Sequence, residues 1–250
     1  MSAQEPLPGT RPAGTRDERE AARAVREMFT RIAPRYDLLN RVLSLTFDRR
    51  WRRRAAAAVE PQLTSRQACA LDLCCGTADL ALELARVGRG RVVGSDFAHP
   101  MLVRAREKSA AAQAGLLLVE ADALQSPFAG NQFDVVTAAF GFRNLANYRR
   151  GLEEIHRLLK PGGVAAILEF AVPQRGVFAR LYRFYFRSVL PRIGNTVSGV
   201  RGPYSYLPAS VEKFPDCEQL ARWMEQAGFR AVSYQTWTGG VVALHQGVKG

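Results

Sequence analysis

After Pro61 the chain repeats one pattern: a short uninterrupted apolar run, a turn, then a helical periodicity. The runs fall at residues 68–74, 91–95, 116–119, 133–139 and 164–170, with helical patterns at about 79–87, 100–114 and 149–159 between them. Runs of that length without alternation suit strands buried on both faces, the habit of a parallel sheet covered by helices. Repeated strand–helix units with short connections predict a doubly wound α/β sheet, which binds ligands beyond the carboxyl ends of its strands. Lys160-Pro161-Gly162-Gly163 predicts a helix stop and a tight turn. Runs at 230–236 and 241–248 flank Gly239-Gly240 and predict a closing antiparallel hairpin, preceded by a helix at about 217–227.

Upstream the texture differs. Residues 1–20 are rich in Pro, Gly and charge and predict a disordered tail. From about residue 17 to 58 the pattern is helical, with Val25, Met28, Phe29 and Ile32 at three- and four-residue spacing and an interruption at Pro34. At 250 residues, 47% of them hydrophobic, the chain suits one domain over 21–250 behind that tail. No stretch approaches the roughly 18–20 apolar residues of a membrane span, and the N-terminus lacks the apolar core of a secretory signal. The four cysteines (Cys69, Cys74, Cys75, Cys217) have no zinc-ligand spacing, so they predict reduced thiols and no metal site.

The first strand ends in Leu71-Asp72-Leu73-Cys74-Cys75-Gly76-Thr77-Ala78-Asp79. Gly76 permits a sharp turn and close approach to a ligand, and Thr77 or Asp79 can cap the next helix. A dinucleotide site would carry Gly-x-Gly-x-x-Gly to seat a pyrophosphate on helix amides; only one of those glycines is present. Twenty residues after Gly76, Asp96 ends the second strand, where a carboxylate can accept both hydroxyls of a ribose. Asp122, beside Ala123, follows the third strand and suits an exocyclic adenine amine. Three acids at successive strand tips without phosphate-binding glycines fit S-adenosylmethionine (SAM).

Several narrower blocks stand in order: Phe29-x-x-Ile32-Ala33-Pro34-Arg35-Tyr36-Asp37-Leu38-Leu39-Asn40, Asp72-x-x-Cys75-Gly76-Thr77, Phe140-Gly141-Phe142-Arg143-Asn144, Leu159-Lys160-Pro161-Gly162-Gly163, Leu168-Glu169-Phe170 and Tyr204-Ser205-Tyr206-Leu207-Pro208-x-Ser210. From about residue 25 to 248 the chain resembles the ubiquinone/menaquinone biosynthesis C-methyltransferases, the UbiE/MenG family. The resemblance implies a Rossmann-like class I SAM-dependent methyltransferase with a seven-stranded sheet, an antiparallel last strand and an N-terminal helical lid over 21–60. It implies C-methylation of a polyprenylated quinol, a demethylmenaquinol or the benzoquinol precursor of ubiquinone. Carried over by position, Gly76, Thr77, Asp96, Asp122 and Ala123 hold the cofactor, with Tyr36 and Asp37 closing from the lid. Relatives often place a serine after the fourth strand where this chain has Ala139, and Ala78 stands where glycine is common.

Methylating a ring carbon requires a phenolate and an aligned methyl donor. Arg143, too basic to be a convenient base, is expected to stabilise the phenolate, with Asn144 and Glu169 as further catalytic candidates. Phe140, Phe142, Tyr204 and Tyr206 are expected around the substrate. The base stays open among Glu169, Tyr204, Tyr206 and Asp37; His99, His156 and His245 are weaker candidates.

The formal charge is +12, and 31 of the 35 cations are arginine. Such a charge predicts attraction to polyanions, nucleic acid or anionic lipid. The segment 171–212, expected to face substrate and membrane, interleaves six arginines with Phe178, Tyr182, Phe184, Tyr185 and Phe186; Arg49-Arg50-Trp51-Arg52-Arg53-Arg54 adds a second cationic cluster. Both suit an anionic membrane surface, from which a polyprenyl quinol must be drawn, and hence a cytoplasmic, peripherally bound enzyme; the 171–212 segment equally suits the wall of a pocket for an isoprenoid tail. The rival is an RNA methyltransferase, against which stand the missing Asn/Asp-Pro-Pro-Tyr motif, Pro-Cys nucleophile and RNA-binding module, so no nucleic-acid partner is expected.

Overall fold

The computed structural model describes residues 9–44, 46–173, 180 and 210–250. Among them, seven strands form one sheet: β1 (Cys69–Leu73), β2 (Arg91–Asp96), β3 (Leu117–Glu120), β4 (Phe133–Ala139), β5 (Leu159–Phe170), β6 (Phe229–Trp237) and β7 (Val242–Lys249), in the order β3-β2-β1-β4-β5-β7-β6. The first five run parallel. β7 is antiparallel to both neighbours and lies between β5 and β6. The last strand is therefore antiparallel, as the resemblance implies, and interior.

Successive strand residues feed opposite apolar layers. Ala70, Val135 and Ala166 pack with α3 (Phe47–Val59) and α4 (Asp79–Val87), while Leu71, Val136 and Ile167 pack with α6 (Tyr148–Leu158) and α7 (Cys217–Gln226). Two buried faces explain why the sequence shows runs rather than alternation. On the first face α3 contributes Trp51, Ala55 and Val59, spaced by four. Helix α5 (His99–Ala111) carries Pro100 in its first turn, where the missing N–H costs nothing. It stops before Gln113 and Gly115, both at positive φ, three residues short of its expected end.

Two expectations change. Lys160-Pro161-Gly162-Gly163 is not a turn outside the sheet but a bulge inside β5: Phe133 pairs with Leu159, and Val135 next pairs with Val164. Gly162, at φ +78, supplies the left-handed step. Of the tail expected over 1–20, residues 9–20 are described and carry contacts to the sheet domain. Thr10 N–H donates to the Leu145 carbonyl and the Arg11 guanidinium to the Ala146 carbonyl, and Asp17 caps α1 (Glu18–Ile32) by accepting from Glu20 N–H. α1, α2 (Tyr36–Ser44) and α3 precede the sheet; α1, through Ala22 and Phe29, and the start of α2, through Tyr36, reach its carboxyl edge.

Candidate active site

At the carboxyl edge the chain leaves β1 through alternating left-handed steps: Cys74 (φ +53), Gly76 (φ +55) and Ala78 (φ +66). The turn is anchored from below. Asp72 accepts the Ala81 N–H at 3.1 Å and the Thr137 hydroxyl at 2.7 Å, so the capping expected of Thr77 or Asp79 is made by Asp72. Burial pushes the Asp72 carboxyl up to about 7, against the pull of Thr137, Arg52 and the Ala81 N–H. Asp96, at the tip of β2, accepts from Gly76 N–H and Ala98 N–H, both at 2.9 Å, through different oxygens. Burial raises it to about 6. The Phe97 N–H also bonds to this carboxylate, so most of its acceptor sites are used within the protein and the remainder faces a ligand hydroxyl.

Gly76, Asp96, Asp122, Ala123, Tyr36, Phe140 and Asn144 line one cleft, together with apolar Phe29, Phe97 and Met101. Asp122 accepts the Leu124 N–H at 2.9 Å in a local turn. Among the described residues that line the cleft there is no lysine or arginine. A phosphate would find no counter-ion, whereas a ribose, an adenine and a cationic sulfonium meet acids and apolar walls; the residues fit SAM. Burial pushes the Cys74 and Cys75 thiols well above their ordinary range, which favours the protonated thiol over the thiolate.

Thr77 and Asp37 do not line this cleft. They meet behind it: the Thr77 hydroxyl donates to Asp37 at 2.7 Å, and the Lys108 ammonium donates to Asp37 Oδ1 at 2.9 Å, Thr77 Oγ1 at 2.7 Å and Asp79 Oδ1 at 2.6 Å. Burial pushes the Asp79 carboxyl up, but Arg52, Lys108 and Arg41 outweigh it and hold the group below the usual carboxylate range.

Beyond the cleft lies a second constellation. Arg143 donates through its backbone N–H (3.0 Å) and Nη1 (2.9 Å) to the two oxygens of Glu169, and through Nη1 to the Phe140 carbonyl. Arg143 is 6% exposed and Glu169 1%, so each requires the other's charge. Arg143 Nε has no partner despite its burial. The Asn144 amide reaches the same carbonyl at 3.4 Å. The guanidinium of Arg143 lies over the Phe170 ring at 5.3 Å and that of Arg52 over Phe140 at 5.2 Å, and the two rings are 4.7 Å apart. Tyr36 borders both constellations. Burial raises its phenol, against the pull of Arg52, a hydrogen bond with Asn40, and Arg143.

The remaining candidates lie elsewhere. Phe142, expected beside the substrate, packs with Tyr148 and Phe214 on the α6 side of the sheet. Tyr204, Tyr206 and most of 171–212 lie outside the described residues. Trp51 and Arg52, read as part of a lipid-facing cluster, are buried; Trp51 Nε1 donates to Thr238 Oγ1 at 2.9 Å. His99 pairs with Glu120 at 2.9 Å, His156 meets Phe229 edge-on, and burial pushes His245 down to about 4.

The fold and the phosphate-free cleft define a class I SAM-dependent methyltransferase. A solved Thermotoga maritima SAM-dependent methyltransferase, a possible histamine N-methyltransferase, shares that fold (TM-score 0.60, 17% identity, 90% of this chain and 100% of that one). The sequence profile of the ubiE/COQ5 methyltransferase family matches residues 15–249. The chain is 49% identical over 234 residues to a demethylmenaquinone methyltransferase of Deinococcus radiodurans (93% of this chain, 95% of that one) and 51% identical over 221 residues to one of Thermus thermophilus (88% and 99%). This chain belongs to the ubiE/COQ5 methyltransferase family.

Proposed function

We propose that this enzyme methylates a ring carbon of a polyprenylated quinol, with demethylmenaquinol as the substrate. The observation that carries the reading is the adjacency of a cation-free, acid-lined cofactor cleft to a buried guanidinium–aromatic cluster, in a chain about half identical to demethylmenaquinone methyltransferases. Asp96 holds the ribose hydroxyls, Asp122 and Ala123 the adenine, and Tyr36 closes from the N-terminal lid. When bound, SAM supplies an electrophilic methyl group.

Glu169 orients Arg143. It accepts from two Arg143 donors and from the Phe170 N–H at 3.1 Å, so it is occupied as an acceptor. The free Arg143 Nε–H and the Asn144 amide hold the phenolate oxygen, with Phe140 and Phe170 flanking the ring. Held there, a phenolate delocalises charge onto its ortho carbon while the apolar surround excludes water. Tyr36, kept neutral by burial, is a donor and not a base.

Access to a polyprenyl substrate requires a membrane. Among the described residues no helix is long and apolar enough to cross one. Phe47 (41% exposed) stands in α3 beside Arg49, Arg50, Arg53 and Arg54, also exposed, and Leu38 (51%) is exposed on α2. That combination suits peripheral binding to anionic lipid on the cytoplasmic side.

The test is transfer of labelled methyl from SAM to reduced demethylmenaquinone, to the benzoquinol precursor and, in parallel, to total RNA. Label in the naphthoquinol supports the reading. Label in RNA alone overturns it.

A further inference from the structure

Lys108 belongs to no motif that the function absorbs. It lies near the end of α5, yet its ammonium reaches the cofactor loop. All three of its N–H donors are used, on Asp37 of α2, Thr77 of the loop and Asp79 at the start of α4. Two of these acceptors are chain neighbours of residues that line the cleft: Asp37 follows Tyr36, and Thr77 follows Gly76. The two walls are close, since a Cβ on Gly76 would lie 3.6 Å from the Tyr36 ring. One cation behind the cleft thus joins the loop to the helix that brings Tyr36 over it.

The surrounding charges reinforce the junction. Arg52 of α3 ion-pairs with Asp48 and lies 3.9 Å from Asp79 Oδ2. Without Lys108, Asp37 and Asp79 would share a partly buried space with no ammonium between them, and like charges there repel.

We infer that Lys108 is a positioning residue that couples cofactor binding to closure of the N-terminal lid, by fastening Asp37 and Thr77 to each other and to Asp79. It touches no bound group; it fixes the separation of Tyr36 and Gly76. Affinity for SAM and order in α2 are therefore two readouts of one contact.

The experiment uses the full chain and needs no quinol. SAM affinity is measured by titration calorimetry, and amide exchange over residues 36–44 is followed with and without SAM. Lys108→Met is expected to weaken SAM binding about tenfold or more and to abolish SAM-dependent protection of 36–44. Asp37→Asn, which loosens only the lid side of the junction, is expected to lose that protection with a smaller loss of affinity. In the double variant Asp37→Asn adds less than it costs alone, because the contact is already gone. If Lys108→Met binds SAM like the wild type, or binds weakly but still protects 36–44, the inference is wrong. If Lys108→Met does not fold, Asp37→Asn decides: unchanged protection overturns the inference. Wild-type SAM binding is the control, so failure of the cofactor assignment reads differently from failure of the coupling.

Discussion

The two constellations at the carboxyl edge are built in opposite ways. The cofactor cleft is made largely of backbone turns and acids that accept N–H groups: Asp96 holds Gly76 and Ala98, and Asp122 holds Leu124. The neighbouring cluster is made of charged side chains that neutralise one another, Arg143 with Glu169 and Arg52 with Asp48, under aromatic rings. The first presents open acceptors to a ligand. The second spends most of its capacity on itself, and among the described residues the buried Arg143 Nε has no partner. A cleft of the first kind tolerates loss of a side chain at the cost of affinity, whereas removing half of a buried ion pair also destabilises the fold.

The largest expected effect lies in the second region. Glu169→Ala strands a buried guanidinium and should destabilise the protein by about 3–5 kcal/mol, seen as a lower midpoint in chemical denaturation. Arg143→Met/Glu169→Met should recover much of that stability but no activity. Recovery of activity would show that the pair is only structural. Asp96→Asn comes next. It removes the charge proposed to accept the ribose hydroxyls and should weaken SAM about 10- to 100-fold, the worth of roughly 1.5–3 kcal/mol for a hydrogen bond to a charged group, with a smaller loss of stability than Glu169→Ala, because the amide can accept only one of the two N–H groups that the carboxylate holds. Equal losses of stability in both regions would erase the contrast.

The pH response sharpens it. Asp72 and Asp96, at about 7 and about 6, sit above their unfolded value of about 3.9. The native state therefore binds protons more tightly, so this contribution to stability is full below about pH 4 and is lost as pH rises to 7. Thermal melts of the SAM-free protein should fall in midpoint over that window. SAM affinity should run the other way, rising as Asp96 ionises through about pH 6, and Asp96→Asn should flatten that rise. The smallest effect is expected at Ala78, a non-glycine residue at φ +66. Ala78→Gly relieves that strain and should raise stability by about 0.5–1 kcal/mol without altering SAM affinity.

What the sequence disclosed follows the same division. Strand runs and acids at strand tips are local signals, because a strand end and its side chain are adjacent in the chain. Asp96 and Asp122 stand at the tips of β2 and β3 and border one cleft. The ion pairs that join different elements are non-local. Glu169 lies 26 residues from Arg143, and Lys108 lies 71 from Asp37, so no window shows them together. The arginine cluster at 49–54 was partly decipherable: Trp51, Ala55 and Val59 repeat every four residues, which assigns Trp51 to the buried face of α3. Arg52 lies on the edge of that face and pairs with Asp48 one turn earlier in the same helix, an i,i+4 spacing that the sequence displays; its approach to Asp79 is what only tertiary structure shows. The interior place of β7 and the bulge at 160–163 depend on strand pairing, which sequence periodicity does not encode.

The central claim, methylation at carbon, is tested most directly by locating the methyl group. Incubation with SAM carrying a CD₃ group and reduced demethylmenaquinone, followed by NMR and mass spectrometry of the product, should give a deuterated methyl on the quinone ring carbon next to the prenyl chain. Label on a ring oxygen, or no transfer to the quinol while RNA is labelled, would contradict it.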